Sequence, residues 1–366
     1  MATVLERARG GQRGLIVLTH KEIFLLEHGK LTKGSRRSIT SPNLARFARK
    51  VMSRIRDDYL VGAHIGGKIS PDHPVFSGSF QDFTMATPLQ WRASNAHPVV
   101  PLVSAFFIPK TFSKYTRRRR SWDLIHVATD GPGKNWDRFV SIAAQLISQQ
   151  PHLRILTVST HGSEKSQSHL RSKFEKIKSE ISGGLHHISL LTKNGERGLP
   201  AAVMANLLGD SKVICLFSQS EGTPKIITEA MMAGCFPVVY EDLLRTCSFL
   251  PDLATYENTM KETKELEKIS AAITRFSEEI SDRMCQVAQA KFELVKNVQY
   301  LQIFLRDLTG QDWDLPKHED LRLRLPAHTR NGADWFRDKT NVSTTDLATR
   351  KNWADFESWL RQVRPS

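Results

Sequence analysis

The chain has 366 residues, of which 40% are hydrophobic and 25% charged, and its formal net charge is +14. This composition excludes an intrinsically disordered tail and a small disulfide scaffold, and the length predicts two domains because single cores rarely exceed roughly 250–300 residues. The first 120 residues carry 21 basic and 7 acidic side chains, whereas the remaining 246 hold 31 of each sign. A local excess of this kind indicates an acidic partner for the N-terminal part.

The cysteines and the apolar runs bear on the cellular compartment. The four cysteines, Cys215, Cys235, Cys247 and Cys285, show no C-x-x-C spacing, which favours a reduced compartment and no zinc site. The N-terminus lacks a signal-type apolar stretch, and no run approaches the roughly 18 apolar residues that span a bilayer. We therefore expect a cytoplasmic protein, with peripheral binding at the inner face of a membrane left open.

Short strands are predicted in the N-terminal part. Residues 15–18 (LIVL), 23–26 (IFLL) and 59–63 (YLVGA) are apolar runs typical of strands. Residues 70–98 are rich in Pro, Ser and aromatic residues without a clear period, and we expect mostly loop there. Four consecutive arginines, residues 117–120, favour a linker or an exposed edge.

A basic amphipathic helix is predicted from Ser41 to about Arg56. Ser is a common cap and Pro42 suits the first helical position. Apolar residues recur at helical spacing and basic residues occupy the other faces. The apolar residues are Leu44, Phe47, Val51 and Ile55, and the basic ones are Arg46, Arg49, Lys50, Arg54 and Arg56. Two interpretations stay open: a surface helix packed on its own domain, or a face that docks on anionic lipid or nucleic acid.

After Trp122 the pattern alternates between strands and helices, which is typical of parallel βαβ units. The predicted strands are 124–128, 153–158, 188–191, 212–217 and 237–240. The predicted helices are 135–149, 165–181, 199–208, 224–233, 262–276 and 278–309. The pattern predicts a doubly wound domain from about 121 to 310, with ligands at the carboxyl ends of its strands.

The most informative stretch is residues 213–240, VICLFSQSEGTPKIITEAMMAGCFPVVY. A polar loop follows an apolar strand and precedes a helix that Pro224 opens and Gly234 stops. Free backbone N–H groups and the positive end of the helix dipole face such a loop, which makes it a candidate anion site. Glu221 and Glu229 supply carboxylates, which are good acceptors for sugar and ribose hydroxyls.

Three motifs follow one another in this stretch: Ser-x-x-Glu-Gly-x-Pro, Glu-Ala-Met-Met-Ala-Gly and Pro-Val-Val. In this order they resemble the donor-site signature of family 4 glycosyltransferases, the retaining enzymes of GT-B fold, with Glu221 through Glu229 as the E-x7-E element. Residues 125–139 (IHVATDGPGKNWDRF) resemble the family's first C-terminal strand and phosphate-binding turn. Residues 99–109 (VVPLVSAFFIP) resemble its interdomain crossing segment, so the resemblance covers about residues 99–310.

The resemblance implies an α/β fold with two Rossmann-like, doubly wound domains that face a cleft, the N-terminal one short or atypical. We expect a basic acceptor-side domain over residues 1–105 and a donor-binding domain over 106–310. A Trp-rich helical extension over 311–366 is expected to pack back on the domains.

The resemblance also assigns roles to residues. Glu221 would contact the donor sugar and Glu229 the ribose, while Lys134 would grip the diphosphate. Thr129 stands where the family has an Arg and Asn135 where it has a Gly. Lys225, or an arginine from the basic N-terminal half, is a candidate to replace the missing cation. The implied catalytic residues are Glu221, Lys134 and His64. The implied donor-binding residues are Thr129, Gly131, Gly133, Lys134, Ser220, Glu221, Gly222, Thr223, Pro224, Lys225 and Glu229.

The N-terminal half departs most from the family pattern. Gly10-Gly11 and Gly66-Gly67 are rival candidates for its glycine turn. His20, His64 and His73 are rival candidates for its active-site histidine, and His64 is favoured because it ends a predicted strand beside a glycine pair.

The implied reaction moves a sugar from a nucleoside-diphosphate sugar to an acceptor with retention of anomeric configuration. No metal and no other cofactor is expected. The expected acceptor is an anionic cell-surface glycan or glycolipid precursor at a membrane, met through residues 1–120. Two alternatives stay open: a nucleic-acid acceptor, and a catalytically silent homologue that binds nucleotide sugars.

Overall fold

A computed structural model describes residues 2–362 of the chain apart from several segments. These are 7, 9–10, 34–36, 66–75, 77, 88–96, 114–119, 130–131, 161–167, 169, 177–183, 190–198, 219–220, 222–223, 247–258, 262, 316–342 and 346–348. The chain divides into two compact units: unit 1 combines Met1–Pro109 with Leu294–Ser366, and unit 2 is Lys110–Glu293.

The N-terminal part of unit 1 forms a mixed sheet, a separate antiparallel pair of strands (β3 and β4) and two helices. Its elements are β1 (Ala2–Glu6), β2 (Gly14–Thr19), α1 (His20–His28), β3 (Lys30–Lys33), β4 (Arg37–Thr40), α2 (Pro42–Ile55), β5 (Tyr59–His64), β6 (Phe83–Met85) and β7 (Val99–Val100). Strands β2, β5, β6 and β7 are parallel neighbours in that order, and β1 pairs antiparallel with β2. Every residue of β5 is buried, as is typical of an interior parallel strand.

The predicted strand at residues 23–26 is wrong, because this segment lies in helix α1. A run of four apolar residues fits a buried helix as well as a strand. Ile23, Leu25 and Leu26 are fully buried in the core of unit 1. The helix ends at Gly29, which has φ 67° and donates its N–H to the Leu25 carbonyl, a common helix stop.

Helix α2 confirms the predicted helix and packs its apolar side into unit 1. Leu44, Ala48, Val51 and Ile55 all belong to the buried core. Two of its basic side chains, and Arg56 directly after the helix, make contacts within the unit. Arg49 Nη2 donates to the Glu27 carbonyl at 3.0 Å, Arg54 pairs with Glu357 at 2.5 Å, and Arg56 pairs with Asp82 at 3.2 Å. Only the charged side of α2 therefore remains for an external surface.

Unit 2 is an α/β unit with a fully parallel sheet. Its elements are β8 (Trp122–Thr129), α3 (Trp136–Gln149), β9 (Ile155–Thr160), β10 (Leu185–Ser189), α4 (Ala201–Gly209), β11 (Ser211–Leu216), α5 (Lys225–Met232), β12 (Phe236–Tyr240), α6 (Glu241–Thr246), β13 (Thr259–Met260), α7 (Glu265–Arg275) and α8 (Glu278–Phe292). Residues 170–176 are also helical, inside the helix predicted at 165–181. The strand order is β10-β9-β8-β11-β12-β13, which confirms the predicted doubly wound arrangement.

The long helix predicted over 278–309 is interrupted at Glu293, whose φ of −62° and ψ of 127° are not helical. The chain then enters unit 1 as α9 (Leu294–Thr309). The Leu294 N–H donates to the Ile108 carbonyl at 2.9 Å, and the Asn297 amide donates to the Phe106 carbonyl at 2.5 Å. Residues 294–310, which the sequence-based division assigned to the donor-binding domain, therefore belong to unit 1.

The C-terminal residues complete unit 1. Strand β14 (Ser343–Thr345) pairs antiparallel with β1, and helix α10 (Arg350–Gln362) packs beside α2. Trp353, Phe356 and Leu360 are buried in the same core as the apolar side of α2. Helix α10 therefore covers apolar surface that α2 would otherwise expose.

Candidate functional site

Two loops follow neighbouring strands at the point in unit 2 where the strand order reverses. β8 and β11 are parallel and hydrogen-bonded to each other, so their carboxyl ends lie at one edge of the sheet. Ligands of open α/β sheets bind at this switch point. Lys134 lies in the loop after β8, and its Nζ donates to Glu221 Oε1 in the loop after β11. The ion pair is partly shielded, with 25% and 19% of the two side chains exposed.

The turn that carries Lys134 is held from both sides. Residues 132–134 form a single 3-10 turn, and Asn135 links this turn to α3 in a left-handed conformation with φ 51°. The Asn135 Nδ2 group donates to the Phe217 carbonyl at 2.9 Å. The Trp136 Nε1–H donates to the Thr129 carbonyl at 2.7 Å. One bond joins the turn to the end of β11 and the other closes it onto β8.

Helix α5 begins just beyond the Glu221 loop. Pro224 precedes its first residue, Lys225, as the sequence predicted. Lys225 and Glu229 are four residues apart and so share one face of the helix. Glu229 is buried, with 4% of its surface exposed. The helix stops at Gly234, whose φ of 70° favours glycine and where a Cβ atom would collide with Ser281 Oγ.

A buried layer of aromatic rings lies beside this edge of the sheet. The His126 ring on β8 stacks on Phe139 with centroids 4.3 Å apart. The Trp136 ring packs edge-on against the His126 ring, with centroids 4.6 Å apart. His126 Nδ1 donates to the Cys215 carbonyl at 2.8 Å, since a carbonyl can only accept. Among the residues that the structure describes, His126 Nε2 is buried without a hydrogen-bond partner.

We expect the stability of the protein to depend on the protonation of His126. Burial lowers the pKa of His126 from 6.5 to about 4, the hydrogen bond to Cys215 opposes this shift, and the charge of Lys134 adds to it. Between these two pKa values the unfolded chain binds a proton that the folded chain does not, so stability falls as the pH drops from 6.5 to about 4. The total loss is about 3 kcal/mol.

The measurement is urea unfolding of the wild type and His126→Phe at several pH values. His126→Phe is expected to reduce the slope of the unfolding free energy in this pH window by up to about 1.4 kcal/mol per pH unit. His152→Phe, which alters an exposed histidine of the same unit, serves as the matched control. An unchanged slope in His126→Phe would mean that His126 is not the titrating group.

The remaining predicted donor residues are only partly described. Thr129 ends β8 and contributes its carbonyl to the turn. Gly133 is exposed, and a Cβ atom there would meet no atom within 4 Å, so the backbone beside Lys134 faces open space. The predicted residues Gly131, Ser220, Gly222 and Thr223 lie outside the described residues.

The predicted histidine lies in unit 1. His64 ends β5 and is 4% exposed, and its Nε2 accepts the Ser104 N–H at 3.1 Å. In this bond Nε2 carries no proton, and the ring joins β5 to the 3-10 turn at 104–106. His20 is the first residue of α1, while Gly66, Gly67 and His73 lie outside the described residues. A catalytic role for His64 stays a prediction.

Two residues near the Lys134 turn were not predicted to stabilise it: Asn135 and Trp136. A signal for Asn135 is present in the sequence, because Asn is the residue after Gly that most readily adopts positive φ, and it follows a Gly-Pro-Gly-Lys turn. No sequence signal identifies the Trp136 bond, which depends on where the indole points.

Burial raises the pKa of the Cys235 thiol to about 12 and also raises the pKa of Cys215 and Cys285. These thiols are therefore poor nucleophiles near neutral pH.

Within the described residues, no group of three or more His, Cys, Asp or Glu side chains could hold a metal ion. No helix in the described part of the chain is long and apolar enough to cross a membrane.

The strand orders place the chain in the α/β class with Rossmann-like units, the fold class that the resemblance implied. No family model and no curated protein matches the sequence. Solved structures do match. The GtfA/B complex has a TM-score of 0.51 at 15% identity, over 78% of this chain and 64% of that chain.

Two further structures are similar at lower scores. The pneumococcal O-GlcNAc transferase GtfA, solved with UDP and GlcNAc, has a TM-score of 0.48 at 10% identity, over 77% of this chain and 65% of that one. Anabaena Alr3699/HepE, solved with UDP and glucose, has a TM-score of 0.47 at 12% identity, over 73% and 77%. The chain thus spans slightly less than two thirds of the two Gtf chains, and the likeness concerns the fold.

Proposed function

We propose that this chain is a glycosyltransferase that moves a sugar from a nucleoside-diphosphate sugar to an acceptor with retention of anomeric configuration. The observation that carries the proposal is the Lys134–Glu221 ion pair at the switch point of unit 2. The pair joins a cation suited to a diphosphate and a carboxylate suited to sugar hydroxyls. The resemblance of residues 213–240 to a donor-site signature independently supports the same assignment.

In the proposed site, each residue acts on one part of the donor. Lys134 and the N–H groups at the start of α5 stabilise the negative charge that develops on the departing diphosphate. Glu221 accepts hydrogen bonds from hydroxyls of the transferred sugar, and Glu229 accepts from the ribose. Lys225 at the start of α5 adds the second cation that Thr129 does not provide. The proposed roles of the donor loop residues Ser220, Gly222 and Thr223 are backbone and hydroxyl contacts to sugar and phosphate.

The reaction class can be tested directly. The full chain is incubated with a panel of nucleotide sugars, with and without candidate acceptors, and release of nucleoside diphosphate is measured. Turnover of at least one donor supports the proposal. Binding without turnover or donor hydrolysis would favour a silent homologue that binds nucleotide sugars. This alternative is suggested by Thr129, which stands where the family has an Arg. Absence of both binding and turnover would overturn the nucleotide-sugar assignment.

We expect Glu229→Ala to weaken donor binding by about ten- to a hundredfold, the effect of losing hydrogen bonds to a charged group. Isothermal titration with the donor identified in the panel measures the dissociation constant. Glu229→Gln preserves the side-chain volume and separates lost affinity from lost packing.

The matched control for this prediction is Glu241→Ala, which removes an exposed carboxylate of unit 2 that pairs with Lys261 at 3.6 Å. Its donor affinity is expected to equal that of the wild type. An unchanged affinity in folded Glu229→Ala and Glu229→Gln would place the ribose site elsewhere.

We infer that the acceptor side is anionic and lies at a membrane surface, in the assembly of a cell-surface glycan or glycolipid. The charge excess of residues 1–120 supports this, and Arg46 and Lys50 on α2 are exposed. Vesicle sedimentation tests it, with preferential binding to anionic over neutral lipid as the expected result. Stronger binding to duplex DNA at the same ionic strength would favour the nucleic-acid alternative.

A further inference from the structure

The backbone of Asn135 is left-handed, a conformation that non-glycine residues seldom adopt. Among the residues that the structure describes, Asn135 alone of the non-glycine residues has a positive φ, 51° with ψ 43°. An L-residue in this conformation costs roughly 1 kcal/mol or more, and the cost is smallest for Asn. The conformation lies directly between Lys134 and the first residue of α3, so it sets the direction in which the chain leaves the Lys134 turn.

Helix capping does not account for the Asn135 side chain. Asn is a favoured N-cap because its side-chain oxygen accepts an N–H from the first turn of the helix. Here the Asn135 side chain makes no such bond, and only its backbone carbonyl accepts, from the Phe139 N–H at 3.1 Å. The Asn135 amide donates instead to the Phe217 carbonyl at 2.9 Å, just after β11.

This outward bond joins the two loops of the candidate site. Phe217 directly follows β11 and lies four residues before Glu221. Asn135 and Lys134 are adjacent in the chain. The hydrogen bond from the Asn135 side-chain amide therefore connects Lys134 to the segment that carries its ion-pair partner. A lysine side chain has four rotatable bonds and little directional preference of its own. Its position therefore depends on how firmly its backbone is held.

We propose that Asn135 is a positioning residue that holds Lys134 beside Glu221 and so at the donor diphosphate. The tie acts through the Asn135 amide and the left-handed backbone together. The assignment of the diphosphate rests on the proposed glycosyltransferase function, whereas the tie between the two loops does not.

The test uses Asn135→Gly in the full chain, because glycine tolerates the positive φ and lacks the side-chain amide. Donor affinity is expected to weaken by about two- to tenfold, the effect of one net hydrogen bond. The same substitution in a Lys134→Met background is expected to change the donor affinity by less than about twofold, because the residue through which Asn135 acts is then absent.

The matched control is Gln150→Ala, at the other end of α3. It removes the hydrogen bond of 2.7 Å that the Gln150 side-chain amide donates to Ser270 Oγ. This variant loses a similar hydrogen bond and is expected to keep the wild-type donor affinity. An equal loss of affinity in Gln150→Ala would reduce Asn135 to a general stabiliser of α3 and overturn the proposal. If Asn135→Gly weakened donor affinity equally in the wild-type and Lys134→Met backgrounds, the proposal would also be overturned.

A second readout does not need the donor. In a variant with Lys134→Cys and Glu221→Cys, a short bis-maleimide cross-links the two loops, and peptide mass spectrometry follows the yield over time. Adding Asn135→Gly is expected to slow this cross-link at least about threefold, the rate change that corresponds to one net hydrogen bond. An unchanged rate would overturn the proposal. A slower cross-link in a protein that binds no nucleotide sugar would leave the positioning role in place and overturn only the proposed function.

Discussion

Lys134→Met is expected to lower kcat for nucleoside-diphosphate release by about two to three orders of magnitude, the usual effect of removing one preorganised group that stabilises transition-state charge. Lys134 is the basic residue in the described part of the loop after β8. Its ion pair with Glu221 holds it at the switch point of unit 2. Methionine keeps the length of the side chain and removes the charge. Initial rates at saturating donor measure kcat, and titration of the donor separates binding from chemistry.

The matched control for Lys134→Met is Lys173→Met. Lys173 also pairs with a carboxylate in unit 2, that of Asp137, and the pair is exposed. Exposed ion pairs contribute about 0–1 kcal/mol, so Lys173→Met is expected to fold with nearly wild-type stability. The Lys134–Glu221 pair is partly shielded, so urea unfolding of Lys134→Met accompanies the kcat measurement. Wild-type kcat in folded Lys134→Met would mean that this lysine does not stabilise the leaving group, and the basis of the proposed site would be lost.

The candidate site could be predicted from sequence as far as its features are local. Lys134 and Glu221 each lie in a loop between a predicted strand and a predicted helix, so each was identified from its own segment. Their pairing is a different kind of fact, because the two residues are 87 positions apart. It depends on the order of the strands, which places β8 beside β11, and strand order is not written in a local pattern.

The fold could be predicted where the hydrophobic periodicity extends over long segments. The errors occur where an apolar run is short, or where the pattern does not indicate which core buries the segment. The parallel strands and helices of unit 2 were found from alternating apolar segments. Residues 23–26 were assigned wrongly because four apolar residues do not distinguish a strand from a buried helix. Helix α9 was found, but a helical pattern does not say which core buries it, and Val298, Leu301 and Leu305 are buried in unit 1.

The arginine run at residues 117–120 shows the same limit for charged residues. A run of like charges usually lies in solvent, and the sequence predicted a linker or exposed edge. Residues 117–119 lie outside the described part of the chain, but the side chain of Arg120 is fully buried in unit 2. Tertiary contacts, which a charge pattern does not reveal, decide the place of this one arginine.

Arg120→Ala is expected to lower the free energy of unfolding of the protein by about 3 kcal/mol, because a buried guanidinium and its hydrogen bonds are lost together. Arg120 donates to the Ser211 carbonyl at 2.9 Å and to Ser281 Oγ at 2.6 Å. Its guanidinium also lies 5.1 Å from the centre of the Phe276 ring. Ser281 Oγ in turn donates to the Gly234 carbonyl at 2.8 Å, so the network joins β11, α8 and the turn after α5.

Urea unfolding of the full chain measures the loss, with Arg283→Ala as the control. Arg283 is on α8, where it forms an exposed pair with Glu279 at 3.5 Å, and its removal is expected to cost less than about 0.5 kcal/mol. Arg120→Lys keeps the charge, but a single ammonium cannot reproduce the fork that reaches two acceptors, so most of the loss should remain. Full stability in Arg120→Lys would show that charge alone, and not the bidentate geometry, secures this part of unit 2.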